Sequence, residues 1–407
     1  MTSDVRHPSL DVVRGVAVMG ILLANIVAFG LPGAAYFSPL AWGGAGPAEK
    51  TAWLLNFILV EGRMRGLFSA LFGASMLLVI DRADARGDNG AALHLRRMFW
   101  LFVIGYVHLY LFWWGDILTH YALCGVIALF FHQARVRTLL AFALMMLLVS
   151  VVLNTANAAA LFAAADRSTP ADVAVWNGFA SAFGVPPRGE LVREIAAMRG
   201  SFGEAAAWRW QHATSPLTLL PIVAPDTLGA MLLGMAGLRS GFVTGHWSQA
   251  AYRRTALVCV PLSWIGYAAI GWHTMASGFD QRWVYTGSLV LSLPLRMIGY
   301  VGYAAAIILL SRSREPSHGR WRERIAAAGR MAFSNYLGTT LLMDLLFTGW
   351  GLGQFGAIGR AWLYALVPLM WALMLIWSPA WLTRYRYGPL EWVWRSLVDG
   401  RPAALRS

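Results

Sequence analysis

Apolar runs recur along the whole chain, separated by short polar or charged connections. A helix needs about 20 apolar residues to cross the hydrocarbon core of a bilayer, and runs of this length repeat along the sequence. The pattern predicts an all-α fold, a polytopic membrane helix bundle with about ten transmembrane helices. The predicted spans lie at about 11–30, 63–80, 98–114, 117–133, 137–154, 217–238, 256–272, 288–310, 327–348 and 361–382.

The composition favours a lipid environment. Of the 407 residues, 58% are apolar and 13% are charged, whereas soluble proteins carry about 25% charged residues. The formal net charge of +13 raises the question of nucleic-acid binding. No block of five or more like charges occurs, however, as a basic nucleic-acid-binding arm would have. We therefore expect a lipid bilayer as the surroundings and no nucleic-acid partner.

The positions of the basic residues predict how the chain is oriented. The connections on one side of the predicted spans hold 21 Lys and Arg residues, and those on the other side hold eight. Cytoplasmic loops of membrane proteins carry the excess of such residues. The bias therefore predicts that both termini are cytoplasmic.

The chain is predicted to form a single transmembrane domain over residues 1–407, with two additions. Residues 157–216 mix Asp, Glu and Arg with Ala and Trp. They form the predicted extracytoplasmic insertion, with short helices over the outer mouth of the bundle. Residues 383–407 begin with alternating aromatic and basic residues, a pattern typical of a helix at the membrane interface. They form the predicted cytoplasmic interfacial tail.

The stretch 105–131 carries polar side chains that lipid cannot satisfy, namely His108, Asp116, His120 and Tyr121. Ionisable groups at membrane depth are costly and are functional candidates by default. The alternative is a Gly-Asp tight turn at the far surface, with histidines that reach the interface. If the preceding helix continues to this turn, His108 lies about 12 Å deeper than Asp116. At that distance the two do not touch, and they would line an elongated cavity.

The first predicted span has polar residues on one face. Asp11 and Arg14 are three residues apart at the cytoplasmic edge, and Asn25 lies three turns deeper on the same face. The alternative interpretation is an ion pair at the interface and an Asn that packs two helices together.

The second predicted span begins with Glu61, Arg63 and Arg65. Arg63 and Arg65 are two residues apart, so their side chains diverge on a helix. One is expected to reach the interface, and the other to point inward toward Glu61, Asp116 or a substrate phosphate.

The ninth predicted span contains four polar or charged candidates, namely Arg330, Asn335, Tyr336 and Asp344. Arg330 lies within one turn of a basic cytoplasmic loop, so simple contact with the interface is the alternative interpretation. No metal-spaced Cys/His set, Walker loop, HExxH or GxSxG motif occurs. Two histidines, His108 and His120, are weak support for a metal site, and no metal is predicted.

Several motifs in combination resemble the YeiB-type family of bacterial inner-membrane proteins. The resemblance runs from the N-terminus to about residue 397. It implies a multi-pass protein of the bacterial inner (cytoplasmic) membrane. The motifs are RHPSLDVVRGVAVMGILLANIVAFGLPGAAYF, GRMRGLFSALFGASM, HLYLFWWGDILTHYALCG, MLLGMAGLRSG, GRMAFSNYL and YGPLEWVWR.

The opening segment also resembles the wider transmembrane acyltransferase group. This group includes the bacterial polysaccharide O-acyltransferases and the lysosomal heparan-glucosaminide N-acetyltransferase. Asp11 and Arg14 match its LD-x-x-RG start. The bacterial enzymes have a functional His eleven residues after that Arg, where this chain has Asn25. The lysosomal enzyme has Asn there and a His in the following loop, where this chain has Pro39.

The resemblance implies transfer of an acyl group, with acetyl expected, from a cytosolic acyl-CoA to a hydroxyl or amine outside the membrane. The acceptor would be a small molecule or a glycan. His108 would act as general base and Asp116 would orient it or hold the acceptor. Arg63 or Arg65 would stabilise the oxyanion.

Further residues receive binding roles in the same hypothesis. Arg14 and Arg330 would bind the donor phosphates, to which guanidinium groups are well suited. The residues expected to bind the acceptor are Asn25, Glu61, His120, Tyr121, Asn335 and Tyr336.

Two other functions stay open at the level of sequence. One is a transporter or exporter of a small metabolite. Intramembrane ionisable residues would relay protons or hold the solute, namely Asp116, His108, Glu61 and Asp344. The other is a non-catalytic membrane protein that binds lipid or a partner. The sequence also leaves open the acceptor, the acyl chain and whether the protein forms a homodimer.

Overall fold

The computed structural model describes residues 8–312 and 316–406. The N-terminal end lies outside the described residues. So do two of the arginines counted in the charge bias, Arg6 and Arg314. The described helices are α1 (Pro8–Gly30), α2 (Pro47–Leu59), α3 (Arg63–Asp84), α4 (Gly90–Val107), α5 (Leu118–Ala128), α6 (Val136–Ala163), α7 (Pro170–Phe183), α8 (Arg188–Met198), α9 (Phe202–His212), α10 (Pro216–Arg239), α11 (Gln249–Ala276), α12 (Gln281–Thr286), α13 (Ser292–Ser311), α14 (Pro316–Arg330), α15 (Ala332–Phe347), α16 (Arg360–Leu363), α17 (Leu366–Leu382) and α18 (Pro389–Asp399).

The prediction of an all-α, polytopic membrane bundle is confirmed. Within the described residues there is no β-strand beyond one isolated bridge between Tyr385 and Arg406. Eight helical segments in this part of the chain are long and apolar enough to cross a bilayer. They are Pro8–Gly30, Pro47–Asp84, Gly90–Phe112, Val136–Asp166, Pro216–Arg239, Gln249–Ala276, Gln281–Ser311 and Arg360–Leu382.

Two of the predicted spans have a different form in the structure. The span expected at 117–133 is a shorter apolar helix, Leu118–Phe131. The span expected at 327–348 is divided at Met331 into α14 and α15. The physical cause lies in α18, where the Glu391 carboxylate accepts hydrogen bonds from the backbone N–H groups of Phe333 and Ser334. A continuous helix would use those N–H groups itself.

Glycines allow the central helices to approach closely. A Cβ atom at Gly15 of α1 would overlap the Ile325 carbonyl of α14, and one at Gly329 of α14 would overlap the Asp11 carbonyl of α1. Small residues at helix crossings are the usual means of close packing inside membranes. The contact fixes the start of α1 against the end of α14.

The helices α7, α8 and α9 pack on the end of the bundle where α1, α4 and α15 finish, which we call the insertion end. Glu194 of α8 accepts a hydrogen bond from the Gly33 amide at 3.0 Å, and Arg209 of α9 donates to the Leu111 carbonyl at 2.7 Å. The Gly349 amide donates to the Met198 carbonyl at 2.9 Å. The insertion therefore covers the loops that surround the candidate site.

Candidate functional site

A cavity of about 200 Å³ lies at the insertion end, and we call it the main cavity. Four parts of the chain form its wall: α1, the loop after α1, the start of α3, and the connection between α4 and α5. The lining residues are Ile21, Ala24, Asn25, Ala28, Tyr36, Phe37, Glu61, Gly62, Arg65, Trp113, Trp114, Gly115 and Ile117. The cavity thus combines one carboxylate and one guanidinium group with aromatic and aliphatic surface.

A second, much smaller cavity of about 10 Å³ continues along α1, and we call it the minor cavity. Asn25 lines both cavities. The Asn25 side chain has no hydrogen-bond partner among the described residues. The remaining residues of the minor cavity are Val18, Ile21, Leu22, Phe29, Tyr336 and Thr339. Asn25 is therefore the polar group at the junction between them.

The carboxylate of the main cavity is held by a phenol. The Tyr36 hydroxyl donates a hydrogen bond to Glu61 Oε2 at 2.8 Å. Burial and the neighbouring Glu61 carboxylate hold the pKa of Tyr36 well above its usual range, against the opposing effect of the Arg65 guanidinium. Tyr36 therefore remains a donor, and Glu61 keeps its second oxygen for another partner.

The turn between α2 and α3 sends Arg63 and Arg65 in different directions, as the spacing predicts. Gly62 has φ +71°, and a Cβ atom there would overlap the Arg296 side chain. Arg63 is fully buried, lies over the Tyr267 ring at 3.7 Å and donates to the Phe57 carbonyl. Arg63 thus stabilises the end of α2, whereas Arg65 lines the main cavity.

Asp226, which the sequence analysis did not name, forms an ion-pair group with Arg296 beside the cavity. Asp226 Oδ2 lies 2.6 Å from Arg296 Nη1 and 3.4 Å from Arg65 Nη2. Arg296 is 2% exposed, whereas the Arg65 side chain is 38% exposed. The sequence does contain a signal for Asp226, since it is an acidic residue inside the predicted span 217–238 and intramembrane acids are functional candidates. Arg296 neutralises Asp226 at closer range, so Arg65 is the less tightly paired cation.

The predicted separation of about 12 Å between His108 and Asp116 is wrong, because His108 Nδ1 lies 2.8 Å from Asp116 Oδ1. A π-helical turn, His108–Phe112, ends α4, and an extended Trp113 then reverses the chain. The reversal sets α5 directly against α4, where a Cβ atom at Gly105 would overlap the Thr119 amide. Asp116 therefore returns to the level of His108.

Both ring nitrogens of His108 have protein partners. His108 Nε2 lies 3.0 Å from Thr340 Oγ1 on α15, opposite the bond to Asp116. Asp116 Oδ2 also accepts hydrogen bonds from the Thr119 amide and hydroxyl. His108 is 4% exposed and lines neither the main nor the minor cavity. Its network joins the α4–α5 connection to α15 behind the wall formed by Trp113.

The next two predicted residues also stand behind the main cavity. His120 Nε2 lies 3.0 Å from Thr227 Oγ1, beside Asp226 in sequence. The Tyr121 hydroxyl lies 2.7 Å from Ser69 Oγ and donates to the Arg65 carbonyl at 3.3 Å. Both residues support the elements that carry Arg65 and Asp226, and neither lines the two cavities.

The polar residues predicted in the ninth span separate in the structure. Tyr336 lines the minor cavity. The Asn335 amide donates to the Ala328 carbonyl and Ser378 Oγ, and its oxygen accepts from the Trp377 indole at 2.8 Å. Asn335 thus connects α14, α15 and α17 away from the cavities.

The residues predicted to bind the donor come together at the opposite end of the bundle. Arg14 pairs with Asp11 at 3.3 Å and donates to Ser75 Oγ at 2.8 Å. Arg330 follows Gly329, whose Cα packs against the backbone of Asp11. The crossing of α1 and α14 therefore brings both guanidinium groups to the same end, about three helical turns from Asn25.

These features define an all-α, multi-pass membrane protein with a polar cavity at one end of its helix bundle. The chain belongs to the YeiB family. It is 31% identical to "Uncharacterized protein YeiB" of Escherichia coli (strain K12), covering 97% of this chain and 96% of the relative. It is 29% identical to "Uncharacterized protein YxaH" of Bacillus subtilis (strain 168), covering 95% of this chain and 92% of that relative.

The chain was also compared with protein-family models and with solved structures. Residues 237–401 match the family described as "Protein of unknown function (DUF418)". No solved structure matches the chain. Because the curated relatives span nearly its whole length, the family relationship applies to the complete bundle and not to one segment.

Proposed function

We propose that this protein transfers an acyl group, with acetyl expected, from a cytosolic acyl-CoA to a hydroxyl or amine bound in the main cavity. One observation carries the proposal. Asn25 lines both cavities. A polar group at that junction can meet an acceptor in the main cavity and an acyl group that arrives along α1. The membrane would be the bacterial inner membrane.

In this proposal Glu61 replaces His108 as general base. A base must lie within hydrogen-bond reach of the proton that it removes. Glu61 lines the cavity and has one oxygen beyond its bond to Tyr36, whereas both nitrogens of His108 have protein partners. We assign His108 and Asp116 to positioning the Trp113–Ile117 wall.

The reaction follows the ordinary course of acyl transfer. The acceptor oxygen or nitrogen attacks the thioester carbonyl while Glu61 takes its proton, and the carbon–sulfur bond then breaks. The thiolate of CoA leaves and takes up one proton. Arg65, Asn25 and the Trp113 indole supply positive charge and N–H donors near the oxyanion, and such prepared donors contribute strongly to catalysis in dry sites.

In this proposal the donor binds at the end of the bundle where α1 and α14 cross. Arg14 and Arg330 would bind its phosphates, since guanidinium groups form paired hydrogen bonds with phosphate oxygens. Loss of one such contact costs about 1.5–3 kcal/mol, which corresponds to roughly a tenfold to hundredfold loss of affinity. Val18 and Leu22 of the minor cavity lie on the part of α1 between Arg14 and Asn25.

The test uses the full-length protein in lipid nanodiscs. Binding of acetyl-CoA is measured by calorimetry, and release of CoA is measured with a thiol reagent in the presence of separate small alcohols and amines. We expect Arg14→Ala and Arg330→Ala to weaken donor binding, and Glu61→Gln and Asn25→Ala to reduce CoA release with donor binding retained. Glu190→Gln, at an exposed position, is the matched control. Absence of acetyl-CoA binding, or equal CoA release by Glu61→Gln, would reject the proposal.

A transporter or exporter of a small metabolite is the second candidate, and one observation favours it. Asp226 is shared by Arg65, which lines the cavity, and Arg296, which is buried. A shared carboxylate with two partners can couple ligand binding to a change of pairing inside the membrane. Solute flux in proteoliposomes under a pH gradient, lost in Asp226→Asn, would support this function over acyl transfer.

A further inference from the structure

We propose that the main cavity binds a small zwitterion of the α-amino acid class, with its carboxylate at Arg65 and its ammonium group at Glu61. The inference deepens the proposed function, because the zwitterion would be the acceptor. Binding itself does not require acyl transfer, so the two can fail separately.

The charges on the cavity wall carry the first step. Glu61 and Arg65 both line the cavity, and no ion pair joins them within the described part of the chain. Each of these two side chains has a protein partner on one side only. Glu61 uses Oε2 for the Tyr36 hydroxyl, and Arg65 contacts Asp226 at 3.4 Å, where Arg296 already lies at 2.6 Å. One acidic and one basic group therefore remain directed toward the same space.

A ligand with a single charge would leave one of these two groups without a partner in the cavity. A simple carboxylate would pair with Arg65 but would also approach the Glu61 carboxylate. A simple amine would pair with Glu61 but would also approach the Arg65 guanidinium group. Removal of water makes such an unmatched contact costly. A molecule with both charges satisfies both groups at once.

Two residues of the cavity wall carry N–H groups that have no hydrogen-bond partner among the described residues. The Trp113 indole nitrogen is buried without a hydrogen-bond partner among the described residues, and the Trp113 side chain is 4% exposed. The Asn25 amide is also without a partner in that part of the chain. Buried polar groups nearly always have partners in native proteins. A carboxylate oxygen of a bound ligand would supply a partner for the Asn25 amide.

The size of the cavity limits the ligand. The volume is about 200 Å³, and an engineered cavity of about 150 Å³ holds benzene. The space therefore suits an amino acid and is too small for a disaccharide, which favours a small molecule over a glycan. The aromatic walls at Phe37, Trp113 and Trp114 can contact an apolar side chain or the face of an ammonium group.

The experiment measures binding to the full-length protein in nanodiscs, without acyl-CoA. The probes are the L-α-amino acids, tested one at a time, and two analogues of the best binder. The amide of that amino acid lacks the carboxylate, and its N-acetyl form lacks the ammonium group. We expect both analogues to bind at least tenfold more weakly than the parent amino acid.

Variants connect each charge to one residue. Arg65→Met should remove the preference for the amino acid over its amide, and Glu61→Gln should remove the preference over the N-acetyl form. Arg188→Met and Glu190→Gln, both at exposed positions of α8, are the matched controls and should retain both preferences. The thermal unfolding midpoint of each variant, followed by tryptophan fluorescence, checks that it is folded.

The outcomes separate this inference from the proposed function. Amino acid binding with both preferences supports the inference even if no CoA is released. Equal binding of the analogues, or no binding of any amino acid, overturns it, even if CoA release with another acceptor sustains the proposed function.

Discussion

His108 Nδ1 lies 2.8 Å from Asp116 Oδ1, and the two side chains are 5% and 0% exposed. On its other side, His108 Nε2 lies 3.0 Å from Thr340 Oγ1 of α15. One imidazole thus joins the α4–α5 connection, which supplies the aromatic wall of the main cavity, to a helix distant in sequence.

Asp116→Ala is expected to lower the thermal stability of the protein. It leaves the His108 ring and the Thr119 amide without their acceptor, and breaking a buried pair by removing one partner costs about 3–5 kcal/mol. Thermal unfolding followed by tryptophan fluorescence in nanodiscs measures the change. Asp88→Ala, which removes an exposed ion pair with Arg86, is the control. Equal unfolding midpoints for the two variants would contradict the structural role of the Asp116–His108 contact.

Two glycine substitutions test the close crossing of α1 and α14, one at the crossing and one at an open position of α15. Gly329→Val should lower the unfolding midpoint, because its side chain would overlap the Asp11 carbonyl, and overpacking typically costs about 1–3 kcal/mol. Gly338→Ala should raise the midpoint or leave it unchanged, because its Cβ meets nothing within 4 Å in α15 and Ala favours a helix. A stable Gly329→Val variant would show that the crossing is less close than described.

The insertion should loosen as the pH rises. Burial raises the pKa of Glu194 to about 7, against the opposing effect of the Gly33 amide hydrogen bond. A carboxyl whose pKa is higher in the folded state contributes its full stability below its ordinary pKa and loses it as the pH passes through about 7.

Hydrogen exchange of residues 188–198, corrected for the intrinsic effect of pH, measures this change. We expect faster exchange at high pH than at low pH in the native protein. Glu194→Gln should remove the difference, and Glu190→Gln should retain it. Exchange in the native protein that does not depend on pH after correction would contradict the prediction.

Orientation in the membrane can be tested with single cysteines. The 21-to-eight distribution of basic residues predicts that residue 178 faces outward and residue 249 faces the cytoplasm. Both positions are exposed, and a Cβ at Gly178 meets nothing within 4 Å. In a variant with Cys124 and Cys259 replaced by Ala, an impermeant thiol reagent should label Gly178→Cys in intact cells and Gln249→Cys only after lysis. The reverse labelling would invert the topology.

The sequence also indicated which residues surround the cavity, but only in part. Asn25, Glu61 and Arg65 were named from their depth and spacing, and all three line the main cavity. Tyr36, Trp113 and Asp226 were not named. Tyr36 and Trp113 carry no local signal, because aromatic residues are frequent throughout this chain. Asp226 carried the signal of an intramembrane acid and could have been found.

The all-α membrane class follows from the amino-acid sequence alone, because the length and apolarity of its runs are local properties that match the thickness and polarity of a bilayer. The divergence of Arg63 and Arg65 also follows from the sequence, since it is a consequence of helical geometry. The contact between His108 and Asp116 could not be read from the sequence, because it depends on a π-helical turn and on the packing of Thr119 on Gly105, which reverse the chain. The sharing of Asp226 by Arg65 and Arg296 could not be read from it either, because that contact depends on how three separate helices pack.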